Sequence, residues 1–264
     1  MKSHRPRKRF GQNFLHDPGV LTRIVAAIAP QPGERLIEIG PGLGALTSHI
    51  LSLAKQLTVV ELDRDLIAPL KERCAGAGEL KIIQADALKL DFCSLQEDKG
   101  KIRLFGNLPY NISTPLLFHL FEQIHCIQDM HFMLQKEVVE RMVAVPGTKR
   151  YGRLSVMVQF YCRAEMLFTV GPGAFHPTPK VASAVVRLIP HPSPPVKVRS
   201  STLFSKLVAE AFSQRRKTLR NTLKQRFSPE QLLEAGIDPS SRAEQLSLEQ
   251  FARLAELESE PGNK

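Results

Sequence analysis

Over its first two-thirds the chain alternates short apolar runs with stretches of helical spacing, and that alternation leaves few folds open. The runs are Arg35–Gly40, Leu57–Leu62, Lys81–Ala85, Ile102–Phe105 and Met130–Leu134. Val20–Ala29, Leu43–Ala54, Asp65–Cys74, Thr114–Ile124 and Val138–Val143 show helical spacing and separate them. Strands joined by helix-length crossovers can only lie parallel, and a parallel sheet needs helices over both faces. Two longer β-rich runs follow, Leu154–Val170 and Ala182–Ile189, with no helix-length insertion between them. They are expected to form an antiparallel pair that closes the sheet. Composition then changes: Pro190-His-Pro-Ser-Pro-Pro195 is stiff, and residues 201–258 read as three or four short helices broken at Ser228-Pro229 and Asp238-Pro239. The expected plan is an α/β domain over 1–190, a proline-rich linker over 191–200 and a small all-α domain over 201–264. There is no internal repeat.

At 264 residues, 43% of them hydrophobic, the chain can bury a sizeable core. No apolar run reaches the roughly 18–20 residues that span a bilayer, so no membrane partner is expected. The N-terminus is basic but has no apolar segment after it, which excludes a secretory signal. Gly11-Gln-Asn-Phe-Leu15 follows at once and reads as functional, which argues against a transit peptide. Cys74, Cys93, Cys126 and Cys162 are far apart with no Cys-x-x-Cys. That spacing argues against a zinc site and against a disulfide framework, and fits a reducing, cytoplasmic setting. No metal is expected.

The net charge of +10 is concentrated at two places. Residues 1–10 carry five Lys and Arg, including Arg7, Lys8 and Arg9, and no acid; residues 206–226 carry seven, including Arg215, Arg216, Lys217 and Arg220, against Glu210 alone. Two such blocks point to a polyanion, with nucleic acid the leading candidate. The apolar residues inside the second block are those of a helix packed on a core.

Leu36-Ile-Glu-Ile-Gly-Pro-Gly-Leu-Gly-Ala45 ends a strand and opens a helix, and its glycines allow a ligand close to the backbone. Gly40-x-Gly42-x-x-Ala45 satisfies a dinucleotide fingerprint, and Glu61 stands at the end of the next strand, where a carboxylate would hold the ribose of NAD or of S-adenosylmethionine equally well. Three features favour the latter. Glu38 adds a second acid suited to a cationic cofactor, Asp86 ends the third strand where it could accept from an adenine amine, and the loop holds no basic residue. The sheet is therefore expected to be a Rossmann-like, S-adenosylmethionine-dependent methyltransferase sheet.

Asn107-Leu108-Pro109-Tyr110 follows the fourth strand. An amide oxygen beside a backbone carbonyl can accept both hydrogens of an aromatic amine, and the Tyr110 ring can stack on the base that carries it. In Phe175-His-Pro-Thr-Pro179 the prolines prevent regular structure and leave the Phe175 ring at a loop, either facing a site or as a buried turn aromatic.

These stretches, taken in order, resemble the small-subunit (16S) ribosomal RNA adenine dimethyltransferases of the KsgA type over nearly the full chain. The matching segments are Lys8–Leu15, Glu38–Gly44, Glu61–Asp63, Ala85–Ala87, Asn107–Tyr110, Gln135–Val138, Tyr151–Ser155, Phe175–Ser183 and Ala211–Asn221. The resemblance implies that Asn13 and Leu15 close over S-adenosylmethionine, Gly40 approaches its methionine end, Glu61 binds the ribose, and Asp86 with Ala87 reads the adenine. It implies that Asn107 touches both cofactor and target, that Leu108 supplies the second acceptor, and that Tyr110 and Phe175 flank the target adenine. The implied reaction is direct in-line transfer with no strong base, on two adjacent adenines in a hairpin near the 3′ end of 16S RNA in an assembling 30S subunit. A monomer is expected. The neighbouring large-subunit RNA methyltransferases of macrolide resistance share the Asn-x-Pro-Tyr chemistry, and a ribosome-assembly factor with dispensable activity is a second alternative.

Overall fold

The computed structural model describes residues 12–96 and 100–257. Its elements in chain order are β1 (Phe14–Leu15), α1 (Pro18–Ile28), β2 (Leu36–Ile39), α2 (Ala45–Ala54), β3 (Gln56–Glu61), α3 (Ile67–Cys74), β4 (Glu79–Gln84), β5 (Ile102–Asn107), α4 (Ser113–Glu122), β6 (Ile127–Gln135), α5 (Lys136–Met142), α6 (Arg153–Tyr161), β7 (Cys162–Val170), β8 (Phe175–His176), β9 (Ser183–Pro190), α7 (Ser201–Ala211), α8 (Leu219–Thr222), α9 (Pro229–Glu234) and α10 (Leu248–Leu257).

Seven strands form one sheet in the order β4-β3-β2-β5-β6-β9-β7. β2 to β6 are parallel, and β9 runs antiparallel to β6 with Met130 opposite Leu188 and Gln135 opposite Ser183. The strands at the centre are buried on both faces, which is why β2 and β5 read as continuous apolar runs rather than alternating ones. β5 nevertheless carries Arg103 in that interior. Its Nε and one Nη each donate to Asp129 at 3.0 Å, the other Nη donates to Glu34 at 2.6 Å, and the Ile28 carbonyl takes a further bond at 2.7 Å. The charge is thus fully paired where it would otherwise be costly to bury. A separate two-stranded ribbon pairs β1 with β8, Leu15 opposite Phe175.

The chain divides into two compact units, residues 1–139 with 165–190, and residues 140–164 with 191–264. The division at 190–191 falls where composition changes. Residues 140–164, which end in the first residues of β7, group with the C-terminal residues, against the expectation of an unbroken domain over 1–190. Part of that segment also departs from the strand expected over Leu154–Val170: Arg153–Tyr161 is helix, and only Cys162–Val170 is strand. Val156, Met157, Val158 and Phe160 are all buried, so neither a period of two nor one of 3.6 shows in the sequence. Gly152 N donates to Ser155 Oγ at 3.0 Å and starts the helix. Within this second unit Phe160 packs on Phe204 at 4.8 Å between ring centroids, and Phe212 on Phe251 at 5.8 Å. Ser228 caps α9, accepting from Gln231 N, with Pro229 at its first position, as the Ser-Pro break implied.

The basic stretch 206–226 is not one helix. α7 ends at Ala211 and α8 begins at Leu219, so Arg215, Arg216 and Lys217 lie on the exposed connection between them.

Candidate active site

In the strand order the chain reverses direction between β2 and β5, and ligands of open α/β sheets bind beyond the carboxyl ends of the strands at such a point. A cavity of about 1240 Å³ opens there, lined by residues that end β2, β3, β4 and β5 and by the N-terminal segment 12–16. The two central strands approach unusually closely. A Cβ on Gly106 would lie 2.3 Å from the Ile39 carbonyl oxygen, so no larger residue fits that position without moving backbone.

One side of the cavity is acidic. After β2 the chain turns through Gly40 and Gly42, with φ of 68° and 57° in the left-handed region that glycine tolerates. Gly42 N then donates to Glu61 Oε2 at 3.2 Å, and Asp63 N donates to Glu61 Oε1 at 2.8 Å. Two backbone N–H groups thus fix the Glu61 carboxylate at the end of β3. Burial raises its pKa, and those N–H groups pull it partly back. Glu38 is more extreme. Burial, helped by the nearby Glu61 charge, pushes its carboxyl up to about 8 against an opposing polar contact from Thr47. Its Oε2 is buried with no hydrogen-bond partner. Asp86 Oδ1 accepts from Leu88 N at 3.0 Å, which shapes the turn after β4, and Asp86 and Ala87 both line the cavity.

The other side carries the Asn107–Tyr110 segment. Asn107 Nδ2 donates to the Asn13 carbonyl at 2.9 Å. Only the amide nitrogen can donate to a carbonyl, so this bond fixes the side-chain orientation and directs Oδ1 elsewhere as an acceptor. The Tyr110 hydroxyl shares a hydrogen bond with Ser183 Oγ at 2.8 Å, and Ser113 Oγ donates to the Tyr110 carbonyl at 3.1 Å. Burial raises the Tyr110 pKa, so the phenol stays neutral.

Asn13, Leu15, Gly40, Glu61, Asp86, Ala87, Asn107, Leu108, Pro109 and Tyr110 all line this one cavity. Phe175 does not. It is 2% exposed and belongs to the hydrophobic cluster with Leu15, while its neighbour His176 lines the cavity. Successive residues of a strand point to opposite sides, and β8 turns Phe175 inward. Arg215, Arg216, Lys217 and Arg220 are exposed on the second unit, where Arg215 Nη2 donates to the Lys149 carbonyl at 2.7 Å. Arg7, Lys8 and Arg9 lie outside the described residues.

Three features, two of them at the site, escaped the sequence reading. Ser183 was seen only as the end of a motif, because its link to Tyr110 joins residues distant in sequence. His131 of β6 lines the cavity, where no histidine was expected. Burial, with Arg103 and Arg187 acting in the same direction, lowers its pKa to about 4 against the opposing pull of Asp129, so it is neutral and a weak base. Third, the expected absence of a disulfide is overturned: Cys93 and Cys126 are bonded, with Cα atoms 5.6 Å apart. Cys93 precedes β5 and Cys126 precedes β6. Neighbouring parallel strands start at the same end of a sheet, so residues ahead of them meet although 33 apart in sequence. With His125 they also form a group of potential metal ligands, none of which lines the cavity.

The family model described as ribosomal RNA adenine dimethylase matches residues 3–259. The chain belongs to the ribosomal RNA adenine dimethylases. A Pseudomonas aeruginosa protein named ribosomal RNA small subunit methyltransferase A is 58% identical over 262 residues, covering 99% of this chain and 98% of that one. The crystal structure of a dimethyladenosine transferase from Plasmodium falciparum superposes with a TM-score of 0.79 at 28% identity, over 91% of this chain and 95% of that one. That of the 23S rRNA methyltransferase ErmE gives 0.70 at 25% identity, over 92% and 98%. The dimethylase identity makes this an S-adenosylmethionine-dependent methyltransferase that acts on ribosomal RNA. The residues present fit that cofactor. The buried, unpartnered Glu38 Oε2 suits a cation, the fixed Glu61 carboxylate suits vicinal hydroxyls, and the cavity has room for a nucleoside cofactor and a second base.

Proposed function

We propose that this dimethylase methylates the N6 amine of two adjacent adenosines in a hairpin loop near the 3′ end of 16S RNA, in the assembling 30S subunit, as a cytoplasmic monomer. The observation that carries the reading is the Asn13–Asn107 hydrogen bond, which presents an amide acceptor beside Leu108 and Tyr110 in the cavity that Glu38, Glu61 and Asp86 also line.

Bound S-adenosylmethionine supplies an electrophilic methyl on a sulfonium. Glu61 accepts from its ribose hydroxyls, Asp86 and Ala87 read its adenine, and Gly40 lets the backbone come close to its methionine end. Asn13 and Leu15 cover it. Asn107 Oδ1 and the Leu108 carbonyl accept the two N–H hydrogens of the target amine. That pair of bonds favours a pyramidal nitrogen whose lone pair, otherwise delocalised into the ring, points along the line of attack. Pro109 fixes the backbone direction of the segment. The Tyr110 ring, anchored through its hydroxyl to Ser183, stacks on the base. No strong base is required, since the proton leaves after attack, and the neutral His131 offers only a weak one. Alignment is worth much of the rate, as oriented reactants gain roughly 7–11 kcal/mol. The base must leave any stack to reach this cavity, so the substrate is a loop or an opened helix. Arg7, Lys8, Arg9, Arg215, Arg216, Lys217 and Arg220 grip phosphates, which adds affinity without reading sequence.

The test supplies labelled S-adenosylmethionine with unmethylated small subunits and, separately, bare large-subunit RNA, then digests the RNA for dimethyladenosine. Label confined to the small subunit and lost with Asn107→Ala is expected. Label in bare large-subunit RNA instead assigns the chain to the resistance-type activity, and cofactor binding without label in either supports an assembly factor.

A further inference from the structure

Cys93, His125 and Cys126 lie together away from the cavity, and the methyl-transfer reading gives them no task. Three observations define their surroundings. His125 Nε2 is 3.4 Å from Cys93 Sγ, and His125 is exposed while Cys93 is half-buried and Cys126 buried. The Gln123 carbonyl oxygen lies 3.1 Å from Cys126 Sγ and 3.6 Å from Cys93 Sγ, so each S–H of a reduced pair has an acceptor in place. The Gln123 side chain holds the Cys93 segment independently of any sulfur bond: Oε1 accepts from Phe92 N at 2.6 Å and Cys93 N at 3.4 Å, and Nε2 donates to the Leu90 carbonyl at 3.2 Å. The segment carrying Cys93 is therefore held beside Cys126 by contacts that do not depend on the bond between the sulfurs.

We propose that Cys93 and Cys126 are a reversible dithiol–disulfide pair, with Cys93 the entry point for small-molecule disulfides of the glutathione type. His125 takes the Cys93 thiol proton. The thiolate attacks one sulfur of the small disulfide, breaking its S–S bond and releasing one thiolate, which takes the proton back from His125. Cys126 then attacks the Cys93 sulfur of the mixed disulfide, giving up its proton to the second departing thiolate. The balance is one protein dithiol and one small disulfide converted to one protein disulfide and two small thiols. An accessible cysteine within reach of a resolving cysteine is the arrangement this exchange needs. The bond ties the segment after β4 to the turn that feeds β6.

The experiment reduces the full chain with dithiothreitol, removes the reductant by desalting, treats with oxidised glutathione, then with iodoacetamide, and maps the peptides by mass spectrometry. In dithiothreitol Cys93 is alkylated. After oxidised glutathione, Cys93 and Cys126 are expected in one linked peptide that dithiothreitol releases, while the buried Cys74 and Cys162 stay unmodified. Cys126→Ser is expected to stop at a mixed disulfide on Cys93, and His125→Ala to slow its formation about tenfold near neutral pH. Full alkylation of Cys93 after oxidised glutathione overturns the proposal. So does a wild-type chain that ends with glutathione on Cys93 and no linked peptide, or one zinc ion per chain retained through gel filtration that blocks alkylation of reduced protein.

Discussion

Replacing Glu38 by Gln is expected to remove a pH dependence that the wild-type fold carries. The folded pKa of about 8 lies above the ordinary 4.5. Between those values the folded chain holds a proton that the unfolded chain has released. Stability from this group is therefore complete below the lower value and is lost as pH rises through the upper one. Each pH unit inside the window costs about 1.4 kcal/mol. Allowing for levelling near the upper end, going from about pH 6 to about pH 8 removes roughly 2 kcal/mol. At about 2–4 °C per kcal/mol for a chain of this size, the wild-type Tm should fall by roughly 5 °C more than that of Glu38→Gln over the same range. Thermal melts of both proteins without cofactor, in matched buffers, measure this, and titrating groups that do not sense the Glu38 charge cancel in the difference. Parallel Tm curves would refute the reasoning, because Glu38 would then be ionised in the folded chain across the range. Melts repeated with S-adenosylmethionine add a second reading. A cationic ligand beside Glu38 favours the carboxylate, so its binding should tighten as pH rises towards 8 in the wild type and stay flat in the variant.

Three further perturbations have definite outcomes. Asp129→Ala leaves the buried Arg103 with Glu34 and the Ile28 carbonyl only, and should cost about 3 kcal/mol in urea unfolding; a loss under about 1 kcal/mol would show that Glu34 alone suffices. Gly106→Ala drives a methyl into the Ile39 carbonyl and should either abolish soluble expression or lower stability by about 3 kcal/mol; a wild-type Tm would contradict the close approach of β2 and β5. Removing Arg215, Arg216 and Arg220 together should reduce the slope of log K against log salt for RNA binding by about 2–3 and leave the S-adenosylmethionine Kd unchanged. Equal loss of both affinities would sink the division between phosphate grip and cofactor site.

The parallel sheet was legible in the chain because its central strands are buried on both faces and flanked by helices of regular spacing. The site was legible for a related reason. In a parallel sheet the strand ends all face one side, so Glu38, Glu61, Asp86 and Asn107, each read separately as a strand terminus, had to converge. Arg153–Tyr161 misled because its consecutive residues Ser155–Val158 are all buried, which hides the helical period. Phe175 misled because a two-residue ribbon, pairing with Phe14–Leu15, decides which way each side chain turns, and two proline-flanked residues show no alternation. The pairings that complete the site and its surroundings belong to tertiary structure alone. Asn13 with Asn107, Tyr110 with Ser183, and Cys93 with Cys126 each join residues tens of positions apart. Local propensity acts over a few residues and cannot report such contacts. The sequence by itself determined the sheet, the direction its strands face and the chemistry at their ends. Only the packed structure decided the orientation of the Asn107 amide, the burial of Glu38 and the pairing of Cys93 with Cys126, because those depend on neighbours that the chain meets only after it has folded.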